Sequence, residues 1–484
     1  MQCTSPPSVS LPQTTVTAVV LVLALALGGC AALPALDQIG SMKPIADYQT
    51  TASFSGPTDD WPSERWWQTY GDPQLNALVD EALRDSPDMA AAAARLRRAA
   101  AFITISDAAL MPQVSANASV MEQKLSYNHL IPRSQSNEGW QDYGMATLNF
   151  NWEMDFWGKN RAALAAATSQ LEATQAEFAQ VRLNLAAAIA MNYAELARLF
   201  AARDITVRSV EIRSKTSELF FERFSNGMET KGSVSQAKAR LAGVQGELLM
   251  VDEQIGLQCL RLAALMGAGP DRALSIKRPA ITVKNNVGLP AELATNLLGR
   301  RPDVIAARLL TEAQLSRIEQ KKAEFYPNVN LSAFIGVQSL GLNMLSKSGS
   351  VIGGVGPAIS LPIFTAGRLQ GELRGTAATY NEAVANYNST VTRALEDVAN
   401  AGLSKRALAT QISKSEEAVE AASEAHRVAR NRYDGGLANY LEVLYAEDAL
   451  LASQRILTTL RSRDFTLDVA LQRALGGGYQ HHKI

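Results

Sequence analysis

The sequence predicts an α+β membrane protein made of two internal repeats, each with two membrane-crossing strands and two long helices. Three observations support this prediction. Sequence marks recur at a nearly constant interval, four segments alternate apolar with polar residues, and two proline-free segments are long enough for helices of about 100 Å. The length of 484 residues suits one such extended architecture, or two or three ordinary domains.

The duplication is visible in residues that recur at fixed intervals. Five residues are followed by the same residue type 209 positions later. The pairs are Gly158 and Gly367, Arg223 and Arg432, Gly227 and Gly436, Val234 and Val443, and Gly267 and Gly476. Two prolines recur 215 residues later, and these pairs are Pro87 and Pro302, and Pro112 and Pro327. A shared Ala-rich composition would not position the glycines. The sequence therefore predicts two repeats, at about 75–270 and 290–478.

Alternation with a period of two predicts strands at about 113–125, 143–156, 328–339 and 351–363. In the second segment Leu148, Phe150 and Trp152 alternate with Asn149 and Asn151. An ordinary half-buried sheet has this pattern, and so does a transmembrane barrel with a wet lumen and an aromatic girdle. Because four strands cannot close a barrel in lipid, membrane strands would require several chains. Three chains would supply twelve strands and two would supply eight.

The long helices are predicted from absent proline and from a coiled-coil period. No proline follows Pro362, and none lies between Gly158 and Gly269. Apolar residues such as Leu164 and Leu171 recur at intervals typical of a left-handed coiled coil. Glycine readily adopts the left-handed conformation that ends helices, so we expect hairpin tips at about 226 and 435.

The first 29 residues are predicted to be a signal peptide. The apolar run at 16–27 is shorter than the about 20 residues of a transmembrane helix and fits the core of a secretory signal. It is followed by Gly28-Gly29-Cys30, which resembles a bacterial lipoprotein box whose cysteine carries lipid. We therefore expect a lipidated segment at 30–74. No Lys or Arg precedes the apolar run, so it is open whether Met1 is the true start.

Composition argues against several classes of protein. The net charge of -1 gives no electrostatic case for nucleic acid. The three cysteines and four histidines have no metal-ligand spacing. No nucleophile elbow or phosphate-binding loop is present. We expect no enzyme activity, no metal and no cofactor, apart from covalent lipid on Cys30.

Several motifs, taken in order, resemble the outer membrane factor (TolC-like) family in its lipoprotein (NodT-type) branch. They are "WWQTYGDPQL" at 66–75, "DFWGKNR" at 155–161, "GRRPDVIAAR" at 299–308, "LPIFTAGRL" at 361–369 and the two glycine tips. The resemblance implies a homotrimer with a twelve-stranded outer-membrane barrel and a continuous periplasmic coiled-coil barrel of helices. It also implies a periplasmic adaptor (membrane fusion) protein, an inner-membrane pump of the RND type and contact with outer membrane lipids of a Gram-negative bacterium.

The same resemblance suggests roles for the tips. Family channels carry acidic residues after the second tip, where Glu442 matches the first acidic position and Tyr445 stands at the second. This implies a pore gate with one carboxylate ring and a phenol ring, although Glu442 could instead be a solvent-facing carboxylate. The first repeat has Ser233 at the position of Glu442. The residues that resemble adaptor-contact and tip positions are Arg223, Gly227, Arg432, Tyr433 and Gly436.

The leading hypothesis is the passive exit duct of a tripartite efflux pump for drugs or other small molecules. The exit duct of a type I protein secretion system is the alternative within the family. A lipid-anchored coiled-coil scaffold without a pore is the alternative outside it, and the alternating strands argue against that scaffold. The sequence does not indicate the cargo.

Overall fold

The structure is a computed structural model that describes residues 33–36, 39–50, 52–54, 60–124, 126, 139–281 and 293–481. The predicted signal peptide and Cys30 lie outside these residues. The helices are α1 (Pro73–Asp85), α2 (Pro87–Ala108), α3 (Lys159–Ser225), α4 (Lys231–Leu265), α5 (Leu293–Leu297), α6 (Pro302–Ala323), α7 (Arg368–Asp434) and α8 (Tyr440–Ala474). The strands are β1 (Gln113–Gln123), β2 (Gln141–Met154), β3 (Asn328–Leu340) and β4 (Val351–Ser360).

The duplication predicted from the sequence is present as matching helices. Helices α3 and α7 each have 67 residues and begin 209 positions apart. Helices α4 and α8 each have 35 residues and have the same offset. Helices α2 and α6 each have 22 residues and begin 215 positions apart. The interval therefore changes within the strand region, where β2 has 14 residues and β4 has 10.

The chain folds into two compact units. Of the residues that the structure describes, the first unit comprises those up to 41, those in 98–171 and 309–385, and it contains the four strands. Its apolar core consists of Ile318, Phe325, Leu369, Leu373, Ala377, Tyr380 and Val384. The second unit comprises 42–97, 172–308 and 386–484 and contains both hairpin tips and the largest apolar core.

The four strands form one antiparallel sheet in the order β1-β2-β3-β4. Its register aligns the two faces across all strands. One rung of the apolar face consists of Val114, Phe150, Ala333 and Val355, and the adjacent rung of the polar face consists of Gln113, Asn151, Ser332 and Gly356. Val114 is 63% exposed and Val355 is 79% exposed, so the residues that the structure describes leave much of this apolar face uncovered.

The strand ends differ slightly from the predicted ones. Strand β2 begins at Gln141 and not at 143, because Gln141 and Asp142 still pair with β1. Strand β4 ends at Ser360 and not at 363. Pro362 follows closely, and a proline has no N–H to continue the ladder.

The aromatic motif at 66–70 is a short 3-10 helix within the second unit. Trp66, Trp67 and Tyr70 are each at most 2% exposed. The Tyr70 hydroxyl donates to the Asp468 carboxylate at 2.7 Å, and the Lys405 ammonium contacts the other oxygen of that carboxylate. Burial, reinforced by Asp468, raises the pKa of Tyr70, so its hydroxyl stays protonated and donates. This N-terminal motif is thereby attached to α7 and α8.

Arg301 of the "GRRPDV" motif has a structural role. Its side chain is 8% exposed and pairs with Asp303 at 2.6 Å and Asp397 at 3.0 Å. It also donates to the carbonyl oxygen of Ala474 at 3.2 Å. Ala474 is the last residue of α8, so the guanidinium stabilises the negative end of that helix.

Gly476→Ala tests the turn that follows α8. Gly476 has a φ of +87°, and a Cβ there would lie 2.0 Å from the Arg300 carbonyl oxygen. The left-handed conformation alone costs an L-residue about 1–2 kcal/mol, and the clash adds to this cost. We expect a clearly lower melting temperature and less folded protein, measured by circular dichroism.

Gly246→Ala is the matched control, because a Cβ there would meet nothing within 4 Å. Alanine is the better helix former by about 1 kcal/mol, so the melting temperature should stay the same or rise. Equal melting of the two variants would contradict the role assigned to Gly476.

Candidate functional site

The two hairpin tips are the candidate site, and both end a long helix in the same way. Gly227 and Gly436 each have a φ of +73°. In the first tip Met228 N donates to the Arg223 carbonyl at 2.8 Å, and in the second tip Leu437 N donates to the Arg432 carbonyl at the same distance. These are the bonds of a helix end that requires a left-handed residue. A Cβ at either glycine would meet nothing within 4 Å, so conformation and not space selects glycine.

A capping side chain starts the returning helix in each tip. Thr230 accepts a hydrogen bond from Ser233 N at 3.1 Å, and Asn439 accepts one from Glu442 N at 3.2 Å. Each cap satisfies a backbone donor that has no partner within the helix. The tips are therefore short and defined turns.

An aromatic cluster joins the second tip to the first repeat. The Tyr440 ring lies 4.7 Å from the Phe220 ring and 5.2 Å from the Tyr433 ring, both at an interplanar angle of 66°. The Tyr440 hydroxyl donates to Thr216 Oγ1 at 2.7 Å. Burial raises the pKa of Tyr440, so this hydroxyl remains a donor at neutral pH.

Arg223 extends this cluster towards the first tip. One of its guanidinium nitrogens donates to the Tyr433 hydroxyl, and the guanidinium carbon lies 5.3 Å from the centre of the Tyr433 ring. Cations are attracted to the face of an aromatic ring at such a distance. The structure thus brings together two of the five residues that the sequence suggested for adaptor contact and the tips.

Glu442 is paired within its own tip. Its carboxylate lies 3.1 Å from an Arg432 guanidinium nitrogen, and both side chains are about half exposed, at 44% and 52%. Exposed pairs of this kind contribute about 0–1 kcal/mol to stability. The pair therefore changes the local charge more than it changes the stability of the fold.

Tyr445 lies one turn after Glu442 on α8 and is 69% exposed. Residues three apart share one face of a helix. Within the described part of the chain its hydroxyl makes no hydrogen bond. The structure therefore leaves the Tyr445 ring outside the aromatic cluster.

A charge network that the sequence did not indicate lies a little further along α8. Arg213 contacts Glu447 at 3.4 Å and Asp448 at 2.7 Å, and Arg240 contacts Asp448 at 3.5 Å. The Glu447 side chain is only 3% exposed. Removing one partner of a buried pair is strongly destabilising, because it leaves an uncompensated charge.

The sequence indicates this network only through positions at which the two repeats differ. With the 209-residue offset, the arginines of the first repeat match alanines of the second, and the acids of the second match no acid in the first. The matched positions are Arg213 and Ala422, Arg240 and Ala449, Lys238 and Glu447, and Ala239 and Asp448. The ion pairs therefore form only between one repeat and the other.

The described residues hold no group of three or more His, Cys, Asp or Glu side chains that could bind a metal ion. The site consists of helix ends, aromatic rings and ion pairs. Such an arrangement can hold or release helix ends, and it can present charge and apolar groups to a partner.

The chain is similar to known proteins along most of its length. It matches the family described as "Outer membrane efflux protein" over residues 78–268 and 293–477. It is 32% identical over 427 residues to the multidrug resistance outer membrane protein MdtP of Escherichia coli strain K12, with 87% of each chain covered. It is 33% identical over 371 residues to the fusaric acid resistance protein FusA of Burkholderia cepacia, with 74% of this chain and 68% of FusA covered.

The fold is also similar to a solved structure. The crystal structure of the outer membrane protein VceC from Vibrio cholerae superposes with a TM-score of 0.81 at 48% sequence identity. The match covers 87% of this chain and 100% of VceC.

Tyr433→Phe tests the contact between the tips. It removes the hydroxyl that accepts from Arg223 and keeps the ring. We expect the tips to lose about 0.5–1.5 kcal/mol of stability, the usual contribution of one hydrogen bond. Hydrogen exchange should become faster at the backbone amides of 223–228 and 432–437. Tyr445→Phe is the control and should leave exchange unchanged. If exchange is the same in Tyr433→Phe and in the unmodified protein, the contact does not stabilise the tips.

Proposed function

The chain belongs to the outer membrane efflux protein family, and we propose that three copies form one closed exit channel fed through a periplasmic adaptor by an inner-membrane pump. Its efflux function and its location in the outer membrane of a Gram-negative bacterium follow from the family. The trimer, the lipid anchor, the gate residues and the type of pump are proposals.

The open sheet is the observation that carries this proposal. Strands β1 and β4 are its edges, and their outer backbone groups lack partners in the sheet. In lipid such groups must be paired, because no water is available to them. Since neighbouring strands are antiparallel and each copy has an even number, β4 of one copy can pair antiparallel with β1 of the next. Three copies then close a barrel of twelve strands.

The height of the apolar face fits a bilayer. On β2 this face extends from Gly144 to Met154, which is a rise of about 26 Å at about 3.4 Å per residue and a tilt of about 40°. The apolar band of an outer-membrane barrel is about 25 Å tall. Below Met154 the Trp157 ring stacks on Tyr326 at 4.7 Å, in the place of an interfacial aromatic girdle.

A lipid on Cys30 is consistent with the path of the N-terminal segment. Leu36 packs against the core of the first unit, which includes Phe325 and Leu369. Phe325 directly precedes Tyr326 and the start of β3, so six residues after Cys30 the chain lies near the base of the sheet. A lipid attached to Cys30 can reach the adjacent leaflet from there.

We infer that Glu442, Arg432 and Tyr445 determine the charge and the width of the channel opening at the hairpin tips. Threefold symmetry would turn each residue into a ring of three. A ring of free carboxylates favours cations, but Arg432 lies next to each Glu442 and reduces that field. The exposed Tyr445 ring would narrow the opening by its size.

The tips also offer a surface for the adaptor. Nothing lies within 4 Å of a Cβ built on Gly227 or Gly436, so a partner backbone can approach both turns. Met228 is 63% exposed and Leu437 is 75% exposed, and these two residues match across the repeats. Two exposed apolar side chains beside open glycines suit the end of a helical hairpin.

Drugs or other small molecules are the proposed cargo, and an RND-type transporter is the proposed pump. The relatives include proteins named for multidrug resistance and for fusaric acid resistance. These names favour an efflux pump over a type I protein secretion system.

The cation selectivity of single channels tests the proposed opening at the hairpin tips. Arg432→Gln should raise the preference for cations, because it leaves the Glu442 ring unpaired. Glu442→Gln should lower it, because it leaves an arginine ring. Reversal potentials across planar bilayers in a salt gradient measure both effects. If neither variant changes the reversal potential, Arg432 and Glu442 do not line the opening at the hairpin tips.

The size of the conductance tests the gate. We expect a small resting conductance that increases several-fold in Glu442→Ala/Tyr445→Ala. An absence of conductance in the unmodified protein and in this variant would contradict the channel and favour the scaffold.

Cys30→Ser tests the lipid anchor. We expect radioactive palmitate to label the unmodified protein and not this variant. Cys259→Ser is the matched control and should keep its label, because Cys259 is buried within α4. Undiminished labelling of Cys30→Ser would overturn the proposed lipidation.

A further inference from the structure

The polar face of the sheet becomes apolar at one end. Most of its rungs carry amide and hydroxyl side chains, among them Ser115, Asn117, Thr147, Asn149, Asn151, Asn330 and Ser332. In the outermost rung that joins three strands, beyond the end of the β3–β4 pairing, Tyr143 pairs in register with Met121 on β1 and with Leu340 on β3. We call these three residues the collar.

The rung next to the collar also carries an apolar side chain. Met145 lies there between Ser119 and Gln338. The Tyr143 hydroxyl lies 3.6 Å from the Met145 sulfur, a weak contact between the two rungs. None of the side chains in these two rungs carries a charge.

The collar side chains are not covered as a packed core would be. Met121 is 47% exposed and Leu340 is 37% exposed. They share the face of the amide and hydroxyl rungs, so they do not point towards lipid in a barrel. Phe334 lies further inward on the same face and is 43% exposed, but it also has a contact within the sheet. Its ring lies 3.0 Å from a Cβ built on Gly354 and therefore covers that glycine on the neighbouring strand.

The collar lies at the outer end of the proposed channel. The long helices α3 and α7 follow the opposite ends of β2 and β4, and the helical part of the family is periplasmic. Tyr143 is one residue beyond Gly144, where the apolar lipid-facing band ends. Three copies would place nine collar side chains around the extracellular mouth, three from each.

We propose that the collar is a contact site for the apolar, aromatic part of exported solutes as they leave the channel. This inference rests on the proposed barrel and adds a determinant of specificity to it. Methionine and tyrosine suit this role, because a thioether is adaptable and polarizable and an aromatic ring offers a large apolar surface. The inner rungs of this face carry mainly amides and hydroxyls, so they offer a solute fewer apolar groups than the collar does.

Block of single channels tests the collar. Tetraphenylphosphonium is the aromatic probe and tetramethylammonium is the cation without an aromatic body, each added at the extracellular mouth in planar bilayers. In the unmodified protein tetraphenylphosphonium should block at lower concentration. In Met121→Ser/Tyr143→Ser/Leu340→Ser its half-blocking concentration should rise about tenfold, the equivalent of one lost apolar contact. Block by tetramethylammonium should be unchanged.

Phe334→Ser is the matched control, because it makes the same kind of change on the same face three rungs further inward. It should leave the block unchanged, and retained conductance shows that a variant barrel has assembled. An unaltered block in the collar variant, or an equal loss in Phe334→Ser, would overturn the collar and leave the channel intact. A lack of conductance even in Glu442→Ala/Tyr445→Ala would overturn the channel and the collar together.

Discussion

The unpaired backbone edges of β1 and β4 are the constraint on which the rest of the structure depends. A four-stranded sheet with one apolar face is not a finished membrane structure, because hydrocarbon leaves its edge groups without partners. Closure by identical copies satisfies every edge with one repeated pairing. In the proposed trimer every residue would occur three times around the channel axis. A single carboxylate, arginine or phenol at the tips would then form a ring of three.

Duplication within the chain adds a second level of repetition, and the structure shows where the copies had to diverge. The helices keep the same lengths, and the tips keep the same turn with a φ of +73°. The ion pairs do not repeat, because Arg213 and Arg240 stand in one copy while Glu447 and Asp448 stand in the other. Complementary charges allow one hairpin to recognise the other. Two identical hairpins could not make that distinction.

Much of the fold could be predicted because it depends on local rules. Alternation fixed the faces of the strands, and the turn glycines located the tips. The missed strand ends, such as Gln141, depend on pairing with a distant strand. The Arg432–Glu442 pair spans a turn whose geometry the sequence does not state. Comparing the repeats reveals residues that are the same in both. The buried Glu447 was missed because it belongs to a network of residues that differ between them.

The attachment of Tyr70 to Asp468 has a consequence for the order of folding. The two residues are 398 positions apart, and Tyr70 also packs on Phe465. A chain exported from its N-terminus presents Trp66, Trp67 and Tyr70 to the periplasm long before α8 follows. During that interval Tyr70 lacks its native neighbours Phe465 and Asp468 in the last helix. These contacts with α8 can therefore form only after nearly every preceding residue has been exported.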